Sequence, residues 1–261
     1  MEVFTDQMNR TISLEIPPTT IISVVPSQTE LLHSLGLSDE VIGITKFCVH
    51  PQEWFRSKTR VGGTKKLNLD KIKELKPDLI IGNKEENDEA QIKTLISEYP
   101  VWMSDISTLE DALDMVSALG KITSRESRAE EIRLAIQSGF DKLPPAETHR
   151  TAAYFIWRNP YMVAGKQTFI NEMIEKCGLK NVFEQSRYPE ISPEELRKAS
   201  PDVILLSSEP YPFRDKHVQE FKSICPLSDI RIVDGEFFSW YGSRLMAAPS
   251  YFQELFFANN S

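Results

Sequence analysis

The sequence has no long apolar run and no concentration of basic residues. It contains no stretch of about 18 consecutive apolar residues, so it predicts no transmembrane helix. It carries 30 Lys and Arg against 38 Asp and Glu, a formal net charge of −8 over 261 residues. No Lys/Arg cluster stands out against this acidic balance, which excludes a nucleic-acid binder of the basic-patch type. We therefore expect no nucleic acid among its partners.

Two features of many exported proteins are also missing. The only cysteines are Cys48, Cys177 and Cys225, an odd number without metal-site spacing, so we expect buried free thiols rather than a disulfide framework. Residues 1–20 contain no apolar run of about 7–15 residues, so no signal peptide is predicted. This favours a cytoplasmic location if Met1 is the natural start.

What the sequence does contain is an alternation of short apolar strands and amphipathic helices, which is typical of an α/β fold with parallel sheets. The alternation stops between residues 109 and 143, where two helical segments follow each other without a strand. We therefore predict two α/β lobes and a helical connection: an N-terminal lobe at 1–106, a linker at 107–145 and a C-terminal lobe at 146–261. Strands are predicted at 21–25, 41–44, 79–81, 101–103, 152–157, 203–207 and 230–233.

The two lobes share a sequence pattern. Residues 67–80 align without gaps on residues 191–204, and each segment contains a polar N-cap, an acidic first turn, a short helix, Pro-Asp and a buried strand. Independent convergence of short helix–strand units is the alternative. We favour two lobes of the same topology, which is the architecture of a duplicated, two-lobed binding protein.

Candidate ligand-binding residues are those that follow the predicted strands, because ligands of open α/β sheets bind beyond the strands' carboxyl ends. They are Ser27, His50, Lys65, Lys84, Glu85, Arg158, Tyr211, Phe213, Arg214, Phe238, Trp240, Tyr241 and Arg244. The aromatic residues of this set fall in predicted loops and alternate with arginines. Such a surface suits a large, flat, partly anionic ligand such as a corrinoid, haem or a metal–siderophore complex. Alternatively, two or three of these rings pack beneath the loops as a satellite core.

His50 is the candidate metal ligand, either for a bare metal ion or axially for a metal that is already chelated. A bare Zn or Mn site needs three or four converging ligands, so a Zn or Mn receptor is only an alternative. No catalytic residue is predicted: Glu85 and Glu86 have no nucleophile beside them, and Gly62–Gly63 lacks the spacing of a phosphate-binding loop. We expect no intrinsic cofactor and a non-enzymatic protein.

Segments 21–30, 69–81, 163–171, 178–183 and 191–206 resemble the cobalamin- and siderophore-binding proteins of ABC importers, which are helical-backbone (class III) substrate-binding proteins. The resemblance covers nearly the whole chain. It implies two Rossmann-like α/β lobes joined by one long backbone helix, here at about 124–143, with the ligand in the cleft between the lobes. A corrinoid is favoured as ligand over a ferric siderophore or haem.

The resemblance also implies a partner. In this family one acidic residue on each lobe docks into the membrane permease, and by position these residues are Asp70 and Glu194. The alternative is that both merely complement the dipole of the helix that they begin. The family is periplasmic or attached to the cell envelope and a monomer is expected, whereas the missing export signal leaves open a cytosolic relative, an enzyme or a scaffold that reuses the fold.

Overall fold

The computed structural model describes residues 1–144 and 150–257. The predicted boundary between residues 145 and 146 lies outside them. The chain forms two compact units, and neither is one continuous stretch. Unit 1 comprises Met1–Ile106, Glu110–Ile136 and Tyr241–Arg244; unit 2 comprises Ser107–Leu109, Gln137–Trp240 and Leu245–Ser261.

The described residues contain fifteen strands and eleven α-helices. The strands are β1 Glu2–Thr5, β2 Thr11–Leu14, β3 Ile21–Ser23, β4 Val41–Ile44, β5 Thr59–Arg60, β6 Gly62–Gly63, β7 Lys66–Leu67, β8 Leu79–Asn83, β9 Val101–Ser104, β10 Thr151–Trp157, β11 Tyr161–Val163, β12 Lys180–Asn181, β13 Glu190–Ile191, β14 Val203–Ser207 and β15 Asp229–Val233. The helices are α1 Pro26–Ser34, α2 Gln52–Ser57, α3 Leu69–Leu75, α4 Glu89–Ile96, α5 Leu109–Ile122, α6 Glu126–Asp141, α7 Phe169–Lys176, α8 Pro193–Ala199, α9 Asp215–Ile224, α10 Glu236–Ser239 and α11 Ala248–Phe256, with a 3-10 turn at Ser243–Met246. No described helix is long and apolar enough to cross a membrane.

Unit 1 is built on a five-stranded parallel sheet in the order β5-β4-β3-β8-β9. Its central strands β3 and β8 consist entirely of buried residues, because helices cover both faces of a parallel sheet. The chain leaves β3 toward β4 on one side and later returns to β8 on the other. The carboxyl ends of β3 and β8 therefore form the topological switch point at which α/β sheets bind ligands.

An antiparallel hairpin, β1–β2, precedes this sheet and was not predicted. Its turn is held by the buried carboxylate of Asp6, which accepts hydrogen bonds from the backbone N–H and the guanidinium of Arg10 and from the N–H of Met103. The hydrogen bond from Met103 thus connects the hairpin to β9 of the sheet.

Unit 2 contains a second sheet in the order β13-β11-β10-β14-β15, with β12 paired to β10. The predicted strands β10, β14 and β15 run parallel, β12 adds a further parallel strand, and β11 and β13 add an antiparallel edge. Among the parallel strands, β12 lies on one side of β10 and β14 on the other. The carboxyl ends of β10 and β14 therefore form the switch point of this unit. The strands β11, β12 and β13 were not predicted, because strands of two or three residues are too short to show a period.

The predicted backbone helix is α6, which runs from Glu126 to Asp141 rather than over 124–143. It begins later because Ser124 has a left-handed backbone with φ of 53°. Its buried residues recur every three or four positions, at Ala129, Ile132, Ile136 and Phe140. The division between the two units falls within this helix, after Ile136.

All three cysteines are free and buried, which confirms the expectation of unpaired thiols. Burial raises the pKa of Cys48 and, more strongly, that of Cys177. A raised pKa keeps a thiol protonated, and all three side chains pack inside the protein.

Candidate functional site

The switch point of unit 1 is shaped by side-chain amides. Asn87 Nδ2 donates to the carbonyl oxygens of Val24 (3.1 Å) and Thr64 (3.1 Å), which joins the loop after β8 to the loop after β3. Asn83 Oδ1 accepts the N–H groups of Glu85 (2.8 Å) and Glu86 (3.0 Å) and so closes the turn at the end of β8. These amides were not among the predicted site residues, because a buried amide looks no different in sequence from an exposed one.

The predicted lysines of unit 1 bind groups of the same unit. Lys65 Nζ donates to the carbonyl oxygen of Glu85 at 2.5 Å, so the structure brings these two predicted residues together. Lys84 Nζ forms an ion pair with Asp105 at 2.5 Å. His50 is half-buried directly before Pro51. In residues 1–144 and 150–257 no group of three or more His, Cys, Asp or Glu side chains is placed to hold a metal ion.

The segment Tyr241–Arg244 belongs to unit 1, although it lies far along the chain from the rest of that unit. Arg244 forms a bidentate ion pair with Glu30 of α1, with Nε 3.0 Å from Oε2 and Nη2 2.7 Å from Oε1. A Cβ atom at Gly242 would lie 2.8 Å from the carbonyl oxygen of Ser27, so only glycine allows this approach. Tyr241 is buried. The segment thus lies along the first two turns of α1, with Gly242 beside Ser27 and Arg244 beside Glu30.

The switch point of unit 2 has an aromatic edge. Trp157, at the end of β10, is 40% exposed and stands edge-to-face against Tyr211 with ring centroids 5.6 Å apart. His217 lies behind Tyr211. Its Nδ1 accepts the N–H of Arg214 (2.9 Å), so the proton of the neutral ring is on Nε2, 3.3 Å from the Tyr211 hydroxyl. Burial, with Lys216 nearby, lowers the pKa of His217 and favours this neutral form.

Arg158 points its guanidinium at a carboxylate of its own unit. Its Nε lies 3.0 and 2.9 Å from the two oxygens of Glu220, which also accepts the hydroxyl of Tyr161. Burial would raise the pKa of Glu220, but the hydrogen bonds from Tyr161 and Arg158 outweigh it and lower that pKa. Glu220 therefore keeps its negative charge beside the guanidinium. Arg214 is exposed at the start of α9.

The interpretation of Phe213 and Phe238 as surface aromatics is wrong, since both are buried in the core of unit 2. Phe213 packs edge-to-face on Phe221, and Phe238 packs on Tyr154 with ring centroids 5.1 Å apart. Phe238 lies in the four-residue helix α10 rather than in a loop. Four residues are too few to reveal a helical period, so the segment looked like a loop in the sequence.

Trp240 is also buried, at 7% exposure, and is fixed by a carboxylate. Its indole Nε1 donates to Glu209 Oε1 at 2.9 Å, and the hydroxyl of Ser239 donates to the same oxygen at 3.1 Å. Burial and the neighbouring Glu236 raise the pKa of Glu209, which follows β14 at the switch point. Glu209 can therefore take up a proton more readily than an exposed glutamate.

Asp70 and Glu194, which the resemblance singles out, occupy equivalent positions. Each is the second residue of its helix, after a side-chain cap: Asn68 accepts the N–H of Lys71 before α3, and Ser192 accepts the N–H of Glu195 before α8. Both helices end at a residue of left-handed backbone, Lys76 and Ser200. Asp70 and Glu194 are both exposed. The repeat seen in the sequence is thus a repeat of local structure.

Known proteins share this architecture. A vitamin B12-binding protein of Pectobacterium atrosepticum is 25% identical over 244 residues, covering 88% of this chain and 86% of its own. A periplasmic haem-binding protein of Pseudomonas aeruginosa superposes with a TM-score of 0.80 at 20% identity, covering 94% of each chain. An ABC-type Fe3+-hydroxamate transport protein of Saccharomonospora viridis gives a TM-score of 0.78 at 17% identity, covering 98% of this chain and 99% of its own.

The two solved structures show the same fold, with two α/β units. A family model described as periplasmic binding protein matches residues 21–225, which contain both sheets except the last strand. This confirms the resemblance found in the sequence. The chain belongs to the periplasmic binding protein family.

Proposed function

We propose that this protein is the substrate-binding component of an ABC importer that captures a metal-chelate ligand, with a corrinoid favoured. The observation that carries the proposal is the similarity to a vitamin B12-binding protein over 88% of the chain, in a family whose members are transport proteins. It acts by binding and delivery rather than by catalysis.

Residues at both switch points supply the ligand contacts. On unit 1 we propose Ser27, His50, Lys65, Lys84, Glu85, Tyr241 and Arg244. On unit 2 we propose Arg158, Tyr211, Arg214 and Trp240. Trp157 joins this set because its exposed ring stands beside Tyr211. Phe213 and Phe238 support the edge from beneath, since both are core residues. An aromatic edge of this kind stacks on a flat macrocycle.

Haem is the second candidate, and a ferric siderophore the third. The arginines and lysines at the two edges favour a ligand with anionic groups, which haem and many ferric siderophores carry. His50 is available as an axial ligand to a chelated metal. A receptor for bare Zn or Mn is less well supported, because the described residues gather no set of three metal ligands.

Delivery requires a membrane partner. We propose that Asp70 and Glu194 dock on the permease, because both are exposed at matching positions of the two units. The protein then works in the periplasm or at the cell envelope, as a monomer. A cytosolic relative that reuses the fold is the alternative, and fractionation of the native protein separates the two.

The test is a titration of the purified protein with cyanocobalamin, haem and a ferric catecholate siderophore, each followed by calorimetry and tryptophan fluorescence. We expect saturation near one equivalent of cyanocobalamin. Replacing exposed Trp157 by Phe should remove part of the quenching, whereas Trp54→Phe, a matched change at a buried ring, should not. Saturation by haem or the ferric complex alone keeps the importer role and changes the ligand. Binding of none of the three overturns the proposal.

A further inference from the structure

We propose that the first turn of α1 and the segment Tyr241–Arg244 together form a site for an anionic oxygen group, a carboxylate or a phosphate. The site lies in unit 1 and, under the proposed function, holds that group of the transported ligand. Two buried hydroxyls are the first evidence. Ser27 Oγ and Ser243 Oγ have no hydrogen-bond partner among the described residues, and their residues are only 4% and 6% exposed.

Such hydroxyls are unusual. A buried polar group without a partner destabilises the folded state, and most native proteins keep few of them. Here two lie on segments that touch each other, since a Cβ atom at Gly242 would sit 2.8 Å from the carbonyl oxygen of Ser27. The ion pair of Arg244 with Glu30 fixes the second segment on the same helix. A bound group that accepts hydrogen bonds would satisfy both hydroxyls.

The start of α1 supplies further donors. Val25 precedes the helix without a side-chain cap, and Pro26 occupies its first turn. The first hydrogen bond inside the helix is made by the N–H of Thr29 to Val25, at 3.0 Å, so the N–H groups of Ser27 and Gln28 come before it. Side chains on a helix tilt toward its N-terminus, so the Ser27 hydroxyl lies beside these N–H groups.

The electrostatics favour a negative group. A helix N-terminus carries a partial positive charge, and the first turn of α1 has no acidic side chain to occupy it. Glu30, one turn later, is neutralised by Arg244 at 2.7 Å. By contrast α7, the helix that follows the hairpin of unit 2, is capped by its own residue, because Thr168 accepts the N–H of Asn171.

The position is that of a ligand site. Helix α1 starts two residues after β3, at the switch point between β3 and β8, where ligands of α/β sheets bind. Hydroxyl and N–H donors beside a positively polarised helix end select an anionic oxygen acceptor. In a cobalamin this group is the phosphodiester, and in haem it is a propionate.

The first test uses inorganic phosphate and needs no transported ligand. Amide resonances of Ser27, Gln28 and Ser243 should shift saturably, whereas that of Asn171 at the capped helix should not. Ser27→Ala and Ser243→Ala should each weaken phosphate binding about tenfold, because hydrogen bonds to charged groups are strong. Ser13→Ala, at an exposed serine, is the matched control. Shifts that do not saturate, or that saturate in both serine variants at the same phosphate concentration as in the unchanged protein, overturn the site.

The second test identifies the source of the group. Cyanocobalamin is compared with dicyanocobinamide, which lacks the phosphate, and haem with its dimethyl ester. The serine variants should lose affinity for cyanocobalamin or haem and bind the paired analogue as the unchanged protein does. Equal loss for both members of the bound pair, or none, overturns the site and leaves the importer role intact. If the unchanged protein binds neither cyanocobalamin, haem nor the ferric siderophore but binds phosphate as described, the importer role fails and the anion site stands.

Discussion

Asp202 accepts two hydrogen bonds from Thr151, one from its N–H at 2.7 Å and one from its hydroxyl at 2.8 Å. In unit 1 Asp78 accepts the same pair from Thr19, at 2.9 and 2.8 Å. Each aspartate follows a proline and stands just before a central strand, β14 or β8. Each threonine lies at or just before the start of the neighbouring strand, β10 or β3. The Pro-Asp motif of the repeat therefore pins the two central strands of each sheet together.

Removing either carboxylate should destabilise its unit. Asp78→Ala and Asp202→Ala each leave a threonine N–H and hydroxyl without their acceptor, which should lower the free energy of unfolding by about 1 to 2 kcal/mol. Chemical denaturation measures this change. Asp39→Ala, at an exposed aspartate, is the control and should change it by less than about 0.5 kcal/mol. Equal effects at all three positions would contradict the pinning role.

The same carboxylates predict an acid dependence. The Thr151 N–H and hydroxyl lower the pKa of Asp202, and at Asp78 the bonds from Thr19 and Thr20 outweigh burial and lower that pKa too. A native pKa below the ordinary 3.8 means stability that is present above pH 3.8 and is lost as pH falls through the native pKa. Unfolding at pH 7, 4 and 3 should show this loss, reduced in the two alanine variants.

The ion pair of Arg244 and Glu30 should be strongly coupled. Their side chains are only 15% and 21% exposed, so Arg244→Met leaves a mostly buried carboxylate without its cation. We expect a loss of about 2 to 3 kcal/mol, below the range for fully buried pairs. Glu30→Gln in the same chain should restore much of it. A double-mutant cycle by denaturation measures the coupling, and additive losses would contradict it.

His217 should make stability depend on pH near neutrality. Burial, with Lys216 nearby, lowers its pKa below the ordinary 6.5, so the unfolded chain binds the proton more readily than the folded one. The stability that neutral His217 contributes is therefore present above pH 6.5 and is lost as pH falls below it.

His217→Gln tests this because glutamine at the same position still accepts the N–H of Arg214 but does not titrate. The free energy of unfolding should fall between pH 7.5 and 5.5 in the unchanged protein and fall less in the variant. His33→Gln, at a histidine paired with Glu53 on the surface of unit 1, is the comparison. A slope that survives His217→Gln would refute the assignment.

If Asp70 and Glu194 dock on the permease, changing them should impair delivery of the ligand to the permease without affecting ligand binding. Asp70→Lys and Glu194→Lys should leave ligand affinity unchanged, because both residues are exposed and neither is among the proposed ligand contacts. Ligand-stimulated ATPase activity of the reconstituted permease should fall at least tenfold in the double variant. Glu74→Lys on the same helix as Asp70 is the control and should retain activity. Full activity of the double variant would leave only the dipole role for these carboxylates.

The predictable parts of the fold are the elements whose buried residues form a regular period or a continuous apolar run in the sequence. Strand β14 was predicted at its observed bounds because all five of its residues are apolar or small and buried. Helices α3 and α8 were predicted because a cap, an acid and Pro-Asp mark their ends. Helix α9 was missed because Pro212 and three charged residues, Arg214, Asp215 and Lys216, precede its buried face. The local sequence pattern was therefore sufficient to predict the central strands and the helices that precede them.

The site was predictable only in part. The switch-point rule placed Ser27, Lys84 and Arg158 at the correct strand ends. It did not indicate that Phe238 is core, because exposure depends on what packs over a ring. Ser243 left no signal at all, since its neighbours in space are far away along the chain.

The membership of Gly242 and Arg244 in unit 1 limits how the molecule can be divided. A polypeptide ending at Ile136 would contain the sheet and α1 but not the segment that packs against the first two turns of that helix. Glu30 would lose its arginine, and the backbone face against which Gly242 packs would be open to water. The isolated first half would leave this side of α1 uncovered. A chimera with the second half of a relative would place a different segment against it. In protein engineering, changes near residue 242 should therefore be made together with changes near residue 27.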